Sequence, residues 1–158
     1  MKTLAGPAAY EPATELLREY VAELALLMGD FDAGRADLAA EARTGTMTVA
    51  CADDGTPVGC VAVRVIAPGV AEVKRMYVRP EARGAGLGAE ILALAERIAT
   101  EQGCPTVRLD TAVPPLHTAL RLYRRHGYRE IPPYNENPSA THWLEKRLDA
   151  AGPARTDG

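Results

Sequence analysis

The chain has 158 residues, of which 47% are hydrophobic and 25% charged, and its formal net charge is −3. This length fits one domain that buries a core without disulfides or metals, and the composition excludes a disordered body. The small net charge gives no electrostatic basis for binding nucleic acid or a membrane surface, so we expect neither as a partner. We predict a single domain over residues 1–150 and a disordered tail over residues 151–158.

Charge is distributed unevenly along the chain. The first third is rich in Glu and Asp, whereas the region from Arg75 to Arg129 is rich in arginine. A local basic zone on an acidic protein favours a small anionic ligand over a polyanion.

The cysteines indicate no redox or metal chemistry. Cys51, Cys60 and Cys104 are odd in number, form no C-x-x-C pair and lie in apolar runs, so we expect buried, free thiols and no metal site. The N-terminus lacks the basic and apolar regions of a signal peptide, and no apolar run approaches the ~20 residues of a membrane span. We therefore expect a cytoplasmic protein.

The first half of the chain reads as helices followed by strands. Apolar residues at three-to-four spacing predict a helix from about Pro12 to Met28, and a short helix is predicted over residues 35–42. The runs "TMTVACA", "PVGCVAVRVI" and "GVAEVKRMYV" are separated by turn signals and predict three antiparallel strands.

The second half alternates helices and strands. The segments "LGAEILALAERIATEQG" and "LHTALRLYRRHG" predict helices that end at glycines, with "PTVRLDT" as a strand between them. "YREI" and "THWLEKRL" predict two short final strands. This order indicates the α+β class with one crossover unit in the middle.

A glycine-rich loop lies between the strand that ends at Val78 and the helix that begins near Leu87. Gly84, Gly86 and Gly88 remove the Cβ atoms that would keep a ligand from the unpaired N–H groups of a helix N-terminus. The loop therefore predicts a cradle for a phosphate or pyrophosphate, with the charge of Arg83 at its rim. The alternative is a glycine-rich turn that only permits tight packing.

Two other phosphate-binding motifs do not match this loop. A P-loop needs Gly-Lys-Ser/Thr, and a dinucleotide fold needs G-x-G-x-x-G, whereas this loop reads G-x-G-x-G. Asp110 ends the next strand about 20 residues further on, where a ribose-binding acid would lie. However, the loop follows antiparallel strands, and too little chain remains for a doubly wound sheet, so we reject that fold.

Two segments carry a family resemblance. The run from Arg83 to Gly88, "RGAGLG", resembles the Q/R-x-x-G-x-G/A signature of the GNAT superfamily of acyl-CoA-dependent N-acetyltransferases. "ALRLYRRHGY", residues 119–128, resembles the second hallmark of that family, and the element order agrees over roughly residues 10–148. The resemblance implies a mixed, mostly antiparallel sheet of six or seven strands with helices on both faces. It departs at Leu116, where many relatives have Asn, which puts one polar cofactor contact in doubt.

The resemblance also implies the donor site. Acetyl-CoA would be the co-substrate, with its pyrophosphate on the loop amides, its pantetheine arm along the edge of the preceding strand and further contacts from later elements. The residues implied are Met76, Tyr77, Val78, Arg83, Gly84, Ala85, Gly86, Leu87, Gly88, Ala89, Thr111, Ala119, Leu122 and Tyr123. A backbone N–H near Val78 would stabilise the oxyanion.

Two catalytic roles follow from the same resemblance. Tyr123 matches the family tyrosine that protonates the CoA sulfur, and its alternative role is a core aromatic, which is compatible with the first. Glu72 lies on the strand that leads to the site, where some relatives carry a glutamate that acts as general base through water. Its alternative role is a solvated strand residue paired with Lys74 or an arginine.

The acceptor site is implied to lie between the first helices and the loop that joins the last two strands. The candidate residues are Asp30, Phe31, Asp32, Tyr134, Asn135 and Trp143. Acidic groups suit a cationic amine, so we expect a primary amine of a small molecule or an exposed amino group of a peptide as acceptor. The alternative is a rigid proline-rich loop with Trp143 in the core. The oligomeric state stays open, and a homodimer is allowed.

Two further functions compete with acetyl transfer. A CoA-binding module without turnover would act as a sensor or assembly partner, but it would not need an acid at the sulfur, so Tyr123 favours an enzyme. A nucleotide-dependent oxidoreductase would bind NAD in preference to acetyl-CoA.

Overall fold

The computed structural model describes residues 1–29 and 37–148. Within these ranges the chain forms seven strands in one sheet, in the order β1-β2-β3-β4-β5-β7-β6, and four α-helices. The strands are β1 (Lys2–Ala5), β2 (Met47–Cys51), β3 (Pro57–Ala67), β4 (Val70–Val78), β5 (Thr106–Thr111), β6 (Arg129–Ile131) and β7 (His142–Arg147). The helices are α1 (Pro7–Met28), α2 (Leu38–Ala42), α3 (Leu87–Glu101) and α4 (His117–Arg125). The predicted α+β class and the six or seven strands are confirmed.

The start of the first helix and the presence of strand β1 differ from the prediction. The first helix begins at Pro7 rather than Pro12, because Pro7 occupies the first helical turn, where the missing N–H costs nothing, and Pro12 is accommodated inside the helix. Strand β1 was not predicted, because its four residues are too few to show an alternation. It forms by antiparallel pairing with β2, in which Thr3 lies opposite Ala50.

The chain forms two compact units. The first contains Met1–Ala62 and Arg75–Ala93, and the second contains Val63–Lys74 and the chain from Leu94 onward. Strands β3 and β4 and helix α3 contribute residues to both units. The single domain over residues 1–150 stays a prediction, and residues 149–158 lie outside the described part of the chain.

The core of the first unit is an apolar face of α1 on the inner side chains of β2 and β3. Its members are fully or almost fully buried and are mostly small: Ala9, Ala13, Leu16, Leu17, Ala42, Met47, Val49, Cys51, Cys60, Ala62 and Tyr77. Cys51, Cys60 and Cys104 are free and buried, as expected, and burial raises the pKa of the Cys60 thiol to about 12. These thiols therefore act as small apolar groups.

The second unit contains the parallel pair of the sheet. Residues Val70, Ala71 and Glu72 of β4 lie opposite Thr106, Val107 and Arg108 of β5, and this register stops at Glu72. Strand β5 then pairs antiparallel with β7 over its whole length. One sheet face is apolar, with Val107, Leu109 and Leu144 buried. Because side chains alternate along a strand, the residues between them form an opposite, polar face.

No helix in the described ranges combines the length and the apolar character needed to cross a bilayer.

Gly59 on β3 marks a close approach within the first unit. A Cβ atom at this position would lie 2.6 Å from the carbonyl oxygen of Tyr77 and 2.7 Å from Cδ1 of Ile91. A glycine inside a strand permits such contact between backbones. Gly59 therefore determines how closely β3 lies to the last residues of β4.

We predict that Gly59→Ala lowers the free energy of unfolding by about 3 kcal/mol, since backbone atoms must move to admit the methyl group. Urea unfolding measures this loss. Gly55→Ala is the control: its positive φ of 93° makes alanine strained, but its Cβ would meet nothing within 4 Å, so it should lose only about 1 kcal/mol. Equal losses in the two variants would contradict the close approach.

Candidate functional site

The glycine loop leads from β4 into α3 through a short 3-10 turn, Pro80–Ala82. Gly84 and Gly86 have φ values of 90° and 83°, which favour glycine, and a Cβ on either would meet nothing within 4 Å. The space over these two residues is therefore open to a ligand, and it adjoins the first turn of α3, whose N–H groups have no partner within the helix. An anionic group fits this position because of the helix dipole.

Arg83 directs its charge away from the loop. Its Nε donates to the Val78 carbonyl at 2.8 Å, its Nη2 donates to both carboxylate oxygens of Glu23 at 2.9 Å, and its guanidinium lies over the Tyr77 ring. The side chain therefore fixes the loop to α1 and to the end of β4. In this conformation the Arg83 side chain is not available to a ligand, and the backbone N–H of Arg83 donates to the Pro80 carbonyl at 3.2 Å.

Two more arginines before the loop are also paired with carboxylates. Arg75 Nε donates to Glu41 at 2.8 Å, and Arg79 Nη2 donates to Glu19 at 2.7 Å and to Glu15 at 3.1 Å. The acidic first third of the sequence therefore neutralises this part of the basic region. The guanidinium groups of Arg75 and Arg79 are therefore held by glutamates of α2 and α1.

The last residues of β4 present a strand edge with one buried side chain. Met76 and Val78 are half-buried, whereas Tyr77 is buried and packs on Tyr20 with ring centroids 5.4 Å apart. Burial, with the nearby charges of Glu23 and Glu19, raises the pKa of Tyr77. Its hydroxyl therefore stays protonated. Arg75, just before this edge, has a positive φ of 57°, which is unusual for a residue with a side chain.

In the second unit, Tyr123 is buried on α4 and packs against Tyr128 with ring centroids 5.9 Å apart. Ala119 and Leu122 of the same helix are half-buried. Tyr128 donates to Glu96 at 2.9 Å, and burial together with this carboxylate raises its pKa. Tyr128 is thus held in place beside the predicted acid.

Thr111 at the end of β5 has a buried hydroxyl group whose oxygen finds no hydrogen-bond partner among the described residues. Its backbone carbonyl accepts from the N–H of Thr141, so only the side chain lacks a partner. A buried hydroxyl without a partner costs free energy, and a polar ligand atom can supply the missing hydrogen bond.

Glu72 is the best-connected carboxylate of the second unit, and its side chain is only 2% exposed. Its Oε1 accepts from Arg64 Nε at 3.1 Å, and its Oε2 accepts from the Tyr134 hydroxyl at 2.8 Å and from Asn135 Nδ2 at 3.4 Å. Lys74 Nζ lies 3.7 Å away. The alternative reading of a solvated residue is wrong, although the pairing with Lys74 and an arginine is confirmed.

Tyr134 is a hydrogen-bond donor in this arrangement. Burial, followed by the hydrogen bond to Glu72 and the charges of Glu72 and Asp110, raises the pKa of Tyr134, and Arg108 opposes this shift. The hydroxyl therefore stays protonated at any ordinary pH. Trp143 is half-buried rather than a core residue, and its Nε1 donates to Asn135 Oδ1 at 2.8 Å.

The structure thus brings together Glu72, Tyr134, Asn135 and Trp143, which were predicted separately as a base and as acceptor residues. Asp30, Phe31 and Asp32 lie outside the described residues. No cluster of three or more His, Cys, Asp or Glu with metal-binding geometry occurs in residues 1–29 and 37–148.

The model of the acetyltransferase (GNAT) family matches residues 12–128 of this chain. The chain belongs to the GNAT acetyltransferase family. This confirms the resemblance carried by the glycine loop and by the second segment, residues 119–128.

Curated relatives agree with this membership. An uncharacterized N-acetyltransferase of Schizosaccharomyces pombe is 41% identical over 95 residues, which are 60% of this chain and 58% of that protein. The chain therefore matches less than two thirds of that relative's length. The IAA acetyltransferase of Azospirillum brasilense is 30% identical over 145 residues, which are 87% of this chain and 94% of that protein.

Solved structures share the fold. A candidate acyl-CoA N-acyltransferase from Klebsiella pneumoniae has a TM-score of 0.65 and 29% identity, covering 93% of this chain and 95% of that chain. The PaiA N-acetyltransferase from Thermoplasma acidophilum, solved with coenzyme A, has a TM-score of 0.71 and 19% identity, covering 93% and 99%. The GNAT fold predicted from the sequence is confirmed.

Asp110, Lys74 and Asn137 of this GNAT protein were not predicted as site residues. Asp110 accepts from Lys74 Nζ at 3.0 Å, from Asn135 Nδ2 at 2.7 Å and from Asn137 Nδ2 at 3.2 Å. From the sequence alone, Asp110 is expected only as the ribose-binding acid of a dinucleotide fold, which we reject. The signal that was available is the alternation in "TVRLDT", in which the polar residues at 106, 108 and 110 share one face of the strand.

We predict that Gly86→Ala weakens acetyl-CoA binding by roughly 30-fold or more, since a Cβ occupies the open space over the loop and strains a positive φ. Isothermal titration calorimetry with acetyl-CoA measures this change. The Gly55→Ala variant, which carries the same kind of φ strain at a distant turn, should bind as the wild type does. Unchanged binding by the Gly86 variant would contradict the loop as the pyrophosphate site.

Proposed function

We propose that this protein transfers an acetyl group from acetyl-CoA to a primary amine of a small molecule or to an exposed amino group, by direct attack in a ternary complex. The observation that carries the proposal is the loop at the N-terminus of α3, where Gly84 and Gly86 leave open space over backbone N–H groups. Membership in the GNAT family supports the same reaction.

Acetyl-CoA is the substrate that this loop suits. The loop from Arg83 to Ala89 would hold its pyrophosphate through its unpaired N–H groups. The backbone of Met76 to Val78, which lies beyond the last β4 residue that pairs with β5, would pair with its pantetheine arm. Thr111, whose buried hydroxyl finds no hydrogen-bond partner among the described residues, would hydrogen-bond a polar atom of the cofactor. The coenzyme A bound to the relative from Thermoplasma acidophilum supports this ligand class.

The reaction needs two proton movements. The amine nitrogen forms a bond to the acetyl carbon, the carbon–sulfur bond breaks, and the sulfur leaves as a thiolate that takes up a proton. We assign this protonation to Tyr123, which is buried on α4 and packs against the ring of Tyr128. The amine, charged at neutral pH in its free form, must lose a proton before it attacks.

We assign the removal of that proton to Glu72, acting through water. Tyr134, Arg64, Asn135 and Lys74 hold its carboxylate in a fixed orientation. Fixed orientation of the carboxylate favours catalysis.

The acceptor would bind beside this carboxylate. Tyr134 and Trp143 offer aromatic surfaces, and Asn135 offers an amide that already contacts both Glu72 and Trp143. Asp30, Phe31 and Asp32 complete the proposed acceptor site, on the basis of the family resemblance alone.

We predict that Tyr123→Phe lowers kcat by roughly 100-fold, because the thiolate must leave without its proton. The dissociation constant for acetyl-CoA should change by no more than about twofold, since the ring remains. Release of the CoA thiol is measured with a panel of tyramine, spermidine, glycinamide and a lysine-containing peptide. The matched control is Tyr128→Phe, which removes a hydroxyl bound to Glu96 and should lower stability without lowering kcat. Equal kcat losses in both variants would refute the role of Tyr123.

We predict that Glu72→Gln lowers kcat at neutral pH by roughly 100-fold, and that the rate recovers as pH rises and the free amine becomes deprotonated. The pH dependence of kcat from pH 6 to 10 gives this result. Glu96→Gln is the control, because Glu96 also accepts from a lysine and a tyrosine hydroxyl but is not assigned to the site. If the Glu72 variant keeps the wild-type kcat and pH profile, Glu72 is not the base.

A further inference from the structure

Asp110 accepts hydrogen bonds from two side chains of the loop between β6 and β7, residues 132–141. We propose that Asp110 is a positioning residue for the amine acceptor: it fixes this β6–β7 loop so that Tyr134 and Asn135 meet Glu72. The inference rests on the proposed acetyl transfer and deepens it, because it assigns a specificity role to a strand residue that touches neither substrate.

Asp110 carries a buried charge. The Asp110 side chain is only 7% exposed, so its carboxylate depends on protein groups rather than water for hydrogen bonds. Its Oδ2 accepts from Lys74 Nζ at 3.0 Å and from Asn135 Nδ2 at 2.7 Å, and its Oδ1 accepts from Asn137 Nδ2 at 3.2 Å. Two of these three donors belong to the β6–β7 loop.

The two asparagines that bind Asp110 also accept hydrogen bonds from the backbone of the loop. Asn135 Oδ1 accepts from the N–H of Asn137 at 3.2 Å, and Asn137 Oδ1 accepts from the N–H of Ser139 at 3.1 Å. The side chains that bind Asp110 therefore also hold the backbone of the loop. Prolines at 132, 133 and 138 have no N–H to donate, so these side-chain contacts carry much of the loop's hydrogen bonding.

The same loop also contacts Glu72, the proposed base. Tyr134 directly precedes Asn135, and its hydroxyl donates to Glu72 at 2.8 Å. Asn135 reaches both Asp110 and Glu72 with the same Nδ2 atom. A displacement of Asn135 therefore moves its own amide and the neighbouring Tyr134 ring, which we propose face the acceptor. The hydrogen bonds of Asp110 described above include no residue of the glycine loop.

The electrostatic surroundings favour a positioning role over a second base. Lys74 lies between Asp110 and Glu72, and Arg64 neutralises Glu72 on its other oxygen. Both Asp110 oxygens already accept hydrogen bonds, and loss of the charge would leave Lys74, Asn135 and Asn137 with poorer acceptors. Charge-assisted hydrogen bonds of this kind are stronger than neutral ones.

The test compares Asp110→Asn with Glu96→Gln. The first replaces an oxygen that accepts from the loop or Lys74 by an NH₂ group that cannot accept. The second removes the charge of a carboxylate that accepts from Lys146 and Tyr128 in the same unit but has no contact with the β6–β7 loop in these hydrogen bonds. Asn137→Ala serves as a milder loop variant if Asp110→Asn does not fold.

Two measurements are made on the full chain. Hydrogen exchange followed by mass spectrometry should show faster exchange in residues 132–141 for Asp110→Asn than for Glu96→Gln. Initial rates with the amine panel should show KM for the amine raised roughly tenfold in Asp110→Asn, as expected for about one lost charge-assisted hydrogen bond, with KM for acetyl-CoA unchanged. Asn137→Ala should change both quantities in the same direction by a smaller factor.

Unchanged loop exchange in Asp110→Asn overturns the proposal, and so does an equal rise of KM for both substrates. If the wild-type protein releases no CoA thiol with any amine of the panel, the proposed function fails instead, and the exchange experiment still decides whether Asp110 holds the loop.

Discussion

Two buried carboxylates on neighbouring strands, Glu72 on β4 and Asp110 on β5, require hydrogen-bond donors, and this requirement organises the second unit. An unpaired buried charge costs several kcal/mol, so each carboxylate must be surrounded by donors. Lys74 stands between them, Arg64 comes from β3, and the β6–β7 loop supplies the rest. The two carboxylates thereby hold Tyr134, Asn135 and Asn137 of this irregular, proline-rich loop.

The first unit contains a second set of ion pairs, whose side chains are partly exposed. Arg75, Arg79 and Arg83 each pair with a glutamate of α1 or α2, and Arg83 also donates to the carbonyl of Val78. Ion pairs in contact with solvent add little to stability individually. They fix the segment before the glycine loop, and the open space over Gly84 and Gly86 stays available to an anion.

The parts of the molecule that were predicted from sequence are those with local signals. The glycine loop, the amphipathic helices and the β-branched strands depend on neighbouring residues, so their positions could be read directly. The position of strand β1 could not be predicted, since four residues show no period. The start of α1 could not be predicted either, because both Pro7 and Pro12 are compatible with the first turn of a helix. The pairing of Lys74 with Asp110 joins residues 36 positions apart, and Arg83 and Glu23 are separated by 60. Such contacts depend on strand register and helix docking, which a single sequence does not specify.

Direct reaction of acetyl-CoA with an amine in one complex is tested by the initial rate of CoA thiol release with both substrates varied, together with mass spectrometry of the amine product. We predict an N-acetylated amine and intersecting double-reciprocal lines. Tight binding of acetyl-CoA with no amine-dependent thiol release would contradict it and favour a CoA-binding module, and parallel lines would contradict direct transfer.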